Sequence, residues 1–189
     1  MSKILKPPYT ALFPVPTVLV SCGSVEFAPN IITIAWTGTM CSEPPMVYVS
    51  IRPGRHSFGI IASTGDFVIN IPSANLAKAV DLCGTVSGKD VNKFLECGLT
   101  PVPASAVKAP LIKECPVNIE CAVKEILPLG THHAFIAEVA AVNIDTAVLD
   151  DKGRIDIERL QPYAYCLHEY RQVSSLLGVH GFSQKNKGK

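Results

Sequence analysis

Short runs rich in β-branched and aromatic residues succeed one another through the first half of the chain. They are VLVSCG (18–23), IITIAWTGTMC (31–41), MVYVSI (46–51) and DFVINI (66–71), each bounded by Pro, Gly, Ser or Asn. Branched and aromatic side chains suit a pleated surface and the bounding residues favour turns, so each run reads as a strand. The SEPP sequence at Ser42 to Pro45 leaves so little chain between the second and third runs that the two should pair antiparallel. Later, VNIECAVKEILPL (117–129) and HHAFIAEVAAVNID (132–145) are separated only by Gly130 and Thr131, a hairpin signature. Helical segments are fewer and short: Arg55 to Ala62 after a Pro-Gly pair, Ala74 to Leu82 behind Ser73, and Val91 to Cys97 behind Asp90. Ser73 and Asp90 serve as the expected N-caps. Strands and helices do not alternate regularly, and no G-x-G-x-x-G follows a strand, which disfavours a doubly wound nicotinamide-binding fold. The pattern predicts a mainly β protein, an antiparallel β-barrel, closed or partly open, with inserted helices.

With 189 residues, 48% of them hydrophobic, the chain has the material for a single domain over 1–189, with about 183–189 as a flexible tail. A net charge of +1 with interspersed signs offers no footprint for nucleic acid or an anionic membrane. No apolar run approaches the roughly 20 residues of a membrane helix, and MSKILKPPYT lacks a signal peptide's apolar centre, so the expected location is cytoplasmic. The seven cysteines are odd in number and contain no C-x-x-C pair, which disfavours both disulfides and a zinc knuckle. Such thiols read as small buried hydrophobes, with Cys41 and Cys83, beside the polar motifs, as the candidates for a redox thiol.

Three stretches carry polar chemistry. In NIITIAWTGTMCSEPP (30–45) apolar residues give way to Thr37, Gly38, Thr39, Cys41 and Ser42, a composition that lets a flat ligand approach the backbone beside Trp36, the only tryptophan. A plain core tryptophan with strand-favouring threonines explains the same residues. SIRPGRHSF (50–58) gathers Ser50, Arg52, Arg55, His56 and Ser57 where a strand ends and a helix begins. That is a fitting phosphate site, with solvated arginines at a helix start as the competing account. CGTVSGKDVNKF (83–94) resembles a phosphate-cradling loop in composition only, because Walker A spacing is absent. His132 and His133 open a strand and should point to opposite faces, so at most one meets a given pocket, and no local spacing completes a metal site.

In order and spacing, FPVPTVLVS, Asn30 with ITIAW and the SEPP turn, GDFVINIP, SGKDVNKF and GTHHAFIAEV together resemble the flavin reductase-like, FMN-binding split-barrel family, most closely its flavoredoxin branch. The resemblance runs over nearly the whole chain. It implies a split-barrel homodimer with non-covalent FMN near the interface of the two subunits. Carried over by position, Asn30, Thr33, Trp36, Thr37, Gly38 and Thr39 would meet the isoalloxazine or ribityl chain, and Ser50, Ile51, Arg52, His56 and Ser57 the ribityl phosphate region. Ser87 and Lys93 would reach the flavin or its phosphate, His132 is the expected pocket histidine, and Tyr165, in QPYAYCLHEYR (161–171), is a candidate ring contact. Ser57 stands where Thr is common in the family, and Thr131 where Asp is common, which removes a charge at the second position. The implied activity is that of an FMN-dependent oxidoreductase or electron carrier, with NAD(P)H or a protein as electron donor and no side-chain nucleophile. The alternatives are a split-barrel ligand-binding protein that has lost flavin and, more remotely, a thiol enzyme using Cys41 or Cys83.

Overall fold

The computed structural model describes residues 2–27 and 29–184. In chain order, β1 (Val15–Pro16), β2 (Val18–Cys22), β3 (Asn30–Ile34), β4 (Thr37–Cys41) and β5 (Met46–Ile51) are followed by α1 (His56–Thr64) and β6 (Asp66–Ile71). Then come α2 (Ala77–Thr85), α3 (Lys93–Cys97), β7 (Pro101–Val102), β8 (Leu111–Ile112), β9 (Val117–Leu129) and β10 (His132–Ile144). A short α4 (Ile157–Leu160) precedes β11 (Tyr163–Cys166) and β12 (Glu169–Gln172).

Seven strands form one antiparallel sheet in the order β3-β2-β6-β9-β10-β5-β4. Its two edge strands, β3 and β4, are joined by only Ala35 and Trp36. In a flat sheet the edges of seven strands would stand roughly 29 Å apart, six gaps of about 4.8 Å, far beyond the reach of that link. The sheet must therefore curl until its ends meet, and Ser50 N–H donates to the Trp36 carbonyl at 2.9 Å, extending the β4–β5 ladder into the link. This corrects the sequence reading of 31–41 as one strand: the polar second half of the run starts a new strand at the opposite edge of the sheet.

The curled sheet encloses Val20, Val49, Ile51, Ile61, Phe67 and Phe135, all essentially inaccessible to water. Along β5 the alternation places Val47, Val49 and Ile51 inward, and burying each large apolar side chain stabilises the fold by about 2 kcal/mol. A second cluster, built on Leu19, Ile31, Val80, Phe94 and Ile112, holds α2 and α3 against the outer face of β2 and β3. The long β9–β10 hairpin turns at Gly130, whose φ of 77° lies in the left-handed region.

The helices differ from the expected boundaries in informative ways. Ser73 precedes a 3-10 turn at Ala74–Leu76 and makes no side-chain cap bond, so α2 proper begins at Ala77. The cap of α3 is Asn92, which accepts from Leu95 N–H, and not Asp90. The sequence pattern also did not announce the small sheet β1-β11-β12. Of the tail expected over about 183–189, residues to 184 close a 3-10 turn, and the rest lie outside the described residues.

Candidate functional site

Where the sheet closes, a cleft opens. Its wide end, a cavity of about 450 Å³, is lined by the β3–β4 link with Trp36, the end of β5 with Ser50, Ile51 and Arg52, and His132. Thr10 to Thr17 and the β11–β12 hairpin complete the wall. Its narrow end, about 120 Å³, is lined by Asn30, His56, Ser57, Cys83, Ser87, Gly88 and Lys93. Ile32, Arg55 and Gly84 border both cavities, so the two adjoin.

The narrow end is built to receive negative charge. α1 begins there with no acidic residue in its first turn and no side-chain cap, which leaves its leading N–H groups and positive dipole end for a ligand. Asn30 donates through Nδ2 to Ser57 Oγ at 2.7 Å, and both side chains are buried. Gly88 lies so close that an added Cβ would fall 2.0 Å from Asn30 Oδ1; only glycine lets the 86–92 segment approach this far.

Lys93 is 4% exposed, and its ammonium donates to the Ile31 and Cys83 carbonyls at 2.8 and 2.7 Å. Burial holds its pKa below the ordinary lysine value, and the neighbouring Arg55 pushes in the same direction. Among the described residues no carboxylate pairs with it. A buried cation without a counter-charge is costly, and an anion in this pocket would offset that cost.

The wide end is aromatic and more open. Trp36 stands 4.4 Å from His132, ring centre to ring centre. Arg52 donates through Nε to His132 Nε2 at 3.3 Å, which assigns that nitrogen as an acceptor and leaves Nδ1 to share the proton with Thr131 Oγ1 at 3.0 Å. Burial first, then Arg52 and Arg55, hold the imidazole below its ordinary pKa, so it is neutral at neutral pH. His133 points to the other face, against Phe58, as strand alternation requires. At the rim, Tyr165 Oη and His168 Nδ1 lie 3.2 Å apart. The hairpin tip holds Leu167 and His168 at φ of 48° and 76°, left-handed conformations that cost non-glycine residues about 1–2 kcal/mol each.

Thr37, Gly38 and Thr39 lie outside this chain's cleft. The Thr37 hydroxyl donates to the Tyr48 carbonyl at 2.6 Å, Gly38 stacks beside the Tyr48 ring, and Thr39 is exposed on the edge strand. Thr33 lines the wide end, yet its hydroxyl is bound to the Val80 carbonyl at 2.5 Å. Cys41 sits on β4 with its S–H toward the Glu43 carbonyl, and burial pushes the Cys83 thiol up to about 12, so Cys83 is not a standing thiolate. Residues missing from the expected site are Leu167, His168 and the segment from Thr10 to Thr17; Arg55, expected with the phosphate cluster, borders both ends of the cleft. The missed residues reach the cleft only through tertiary packing.

A curled antiparallel sheet whose edges meet at an aromatic cleft, with a basic recess beside it, is a split barrel of the flavoredoxin kind. The chain belongs to the flavin reductase like family, whose domain model matches residues 10–174, a family of flavin-binding oxidoreductases and electron-transfer proteins. Flavoredoxin of Desulfovibrio vulgaris (Miyazaki F) superposes with a TM-score of 0.89 at 34% identity, over 98% of this chain and 100% of that one. Flavoredoxin from Methanosarcina acetivorans gives 0.86 at 27% identity, over 97% and 100%. An uncharacterized protein of Archaeoglobus fulgidus is 33% identical over 83% of this chain and 84% of its own.

Proposed function

We propose that this protein binds FMN non-covalently, with the phosphate in the narrow end and the isoalloxazine along Trp36 in the wide end. It acts there as an oxidoreductase or electron carrier fed by NAD(P)H or a protein donor. The observation that carries this reading is Lys93, a buried ammonium with no carboxylate partner among the described residues, beside the free first turn of α1. Bound FMN would supply the two-electron chemistry. Ser57, Ser87 and the leading N–H groups of α1 hold the phosphate, and Arg55 and Lys93 balance its charge. Trp36 orients the ring, while Arg52, anchored on neutral His132, is the cation at the wide end. Similarity to flavoredoxins supports the electron-transfer reading.

The decisive experiment compares FMN with riboflavin by fluorescence titration of the apoprotein. FMN should bind at least about a hundredfold tighter, since a buried, charge-assisted phosphate contact distinguishes the two. Equal, weak affinities would point instead to a barrel that has lost flavin. Oxidation of NADH or NADPH by the holoprotein then separates reductase from carrier.

The working unit in this proposal is a cytoplasmic homodimer. Leu5, Leu12, Leu176, Leu177 and Phe182, on the terminal segments, are at least half exposed in the single chain, an apolar surface suited to a second copy. Sedimentation of the Leu176→Glu/Leu177→Glu variant as a monomer, against a wild-type dimer, is the expected result.

A further inference from the structure

Two thiols meet beside the narrow end of the cleft. Cys83, in the last turn of α2, and Cys97, the last residue of α3, place their sulfur atoms 3.7 Å apart. Cys83 is 1% exposed and lines the cavity, whereas Cys97 is only half-buried, so the pair has one enclosed member and one within reach of solvent. Cys97 also faces the Ala79 carbonyl at 3.8 Å, whereas Cys22, Cys41 and Cys121 direct their S–H groups at backbone carbonyls and at no second sulfur among the described residues.

The pair is tied to the anion recess by a hydrogen bond and by the short helix α3. The Cys83 carbonyl accepts from Lys93 Nζ at 2.7 Å. Lys93 and Cys97 stand four residues apart on α3, and so share one helix face. The segment between α2 and α3 carries Gly88, already seated against Asn30 with no room for a Cβ. Joining the sulfurs would therefore fix α3, Lys93 and this segment together.

We propose that Cys83 and Cys97 form a reversible disulfide that locks Lys93 and the 86–92 segment over the recess and slows release of the anion held there. The slowed release rests on the FMN reading; the disulfide itself does not. The oxidant is a hydroperoxide, hydrogen peroxide being the simplest. Cys97, the more accessible sulfur, attacks one peroxide oxygen; the O–O bond breaks, and sulfenic acid and water result. The Cys83 sulfur then attacks the Cys97 sulfur, the S–S bond forms, the S–O bond breaks, and the hydroxyl leaves as water with the Cys83 proton. Two electrons from the two thiols reduce one peroxide to two waters. A small dithiol restores both thiols by exchange.

Trypsin cuts after Lys78, Lys89, Lys93 and Lys108, placing the two cysteines on separate peptides, 79–89 and 94–108. After peroxide treatment of the FMN-loaded protein and alkylation, these two peptides should appear linked, and dithiol should separate them. Dissociation of FMN, followed by recovery of its fluorescence, should slow about tenfold on oxidation, because the cross-link restrains the exit segment. Cys97→Ser should abolish both effects and Cys41→Ser neither. Amide exchange over 86–93 should also slow on oxidation, a readout that needs no flavin and decides the tightening even if FMN fails to bind. Peptides that remain separately alkylated would overturn the site. Linked peptides with unchanged exchange would overturn the locking.

Discussion

The two ends of the cleft differ in how they are held. At the narrow end Asn30, Ser57 and Lys93 are buried and committed, Asn30 to Ser57 and Lys93 to two carbonyls, and Gly88 is seated against Asn30. The wide end is assembled from elements far apart in sequence, the β3–β4 link, the β10 start, residues 10–17 and the β11–β12 tip, several of them half-exposed. A rigid anion seat holds a ligand in register at no ordering cost, whereas an open aromatic end leaves one face of a planar ring accessible to a reaction partner. Rigidity and access are thus divided between the two ends of one site.

That division can be broken at either end, and the largest effect falls on the narrow one. Lys93→Met should weaken FMN about a hundredfold and riboflavin hardly at all, by fluorescence titration, because a buried charge pair is lost. Loss of both ligands equally would mean that Lys93 serves the fold alone. Gly88→Ala forces Asn30 aside, and an FMN affinity lowered about tenfold is the expected outcome, with the melting temperature reporting any wider damage.

At the wide end, Trp36→Ala should reduce FMN and riboflavin affinity alike, by about five- to tenfold, since ring packing does not sense the phosphate. Smaller still is Thr37→Val: it removes the bond to the Tyr48 carbonyl and about 1 kcal/mol of stability, with FMN affinity changed less than about twofold. A large loss of flavin there would show that β4 reaches the ligand after all.

The smallest effect concerns His132. Its folded-state pKa lies below the ordinary 6.5, so as pH falls the unfolded chain takes up the proton first. Stability is therefore full above about pH 6.5 and declines as pH drops through that value toward the depressed folded pKa. Thermal melts of His132→Gln should fall less steeply than wild type between about pH 7 and about pH 5. Equal slopes would assign the acid sensitivity to other groups.

Much of this arrangement was legible in the sequence, and for local reasons. The β5 strand, the β4–β5 turn and the long hairpin at Gly130 follow from alternation and turn chemistry, which act over a few residues. The polar recess at the narrow end was legible in part, because Ser50 to Ser57 combines a strand end, a helix start and its cations in one stretch. Trp36 was found, but its neighbours Thr37 to Thr39 were placed with it, because 30–41 reads as one unbroken β-rich run. Leu167 and His168 escaped notice for a different reason: a hairpin tip without glycine carries no turn signature, and the left-handed backbone is imposed by the two-residue loop between the paired Cys166 and Glu169.

Sequence alone determined β2, β5, β6 and the β9–β10 hairpin, the polar patches and the family, since each is written in periodicity, residue type and short-range spacing. Tertiary structure alone decided that the 31–41 run breaks at Ala35 and Trp36, that Lys93 is buried without a carboxylate partner among the described residues, and that Cys83 meets Cys97. Those outcomes depend on sheet closure and helix docking, which bring together groups separated by long stretches of chain, and no local pattern encodes such distances.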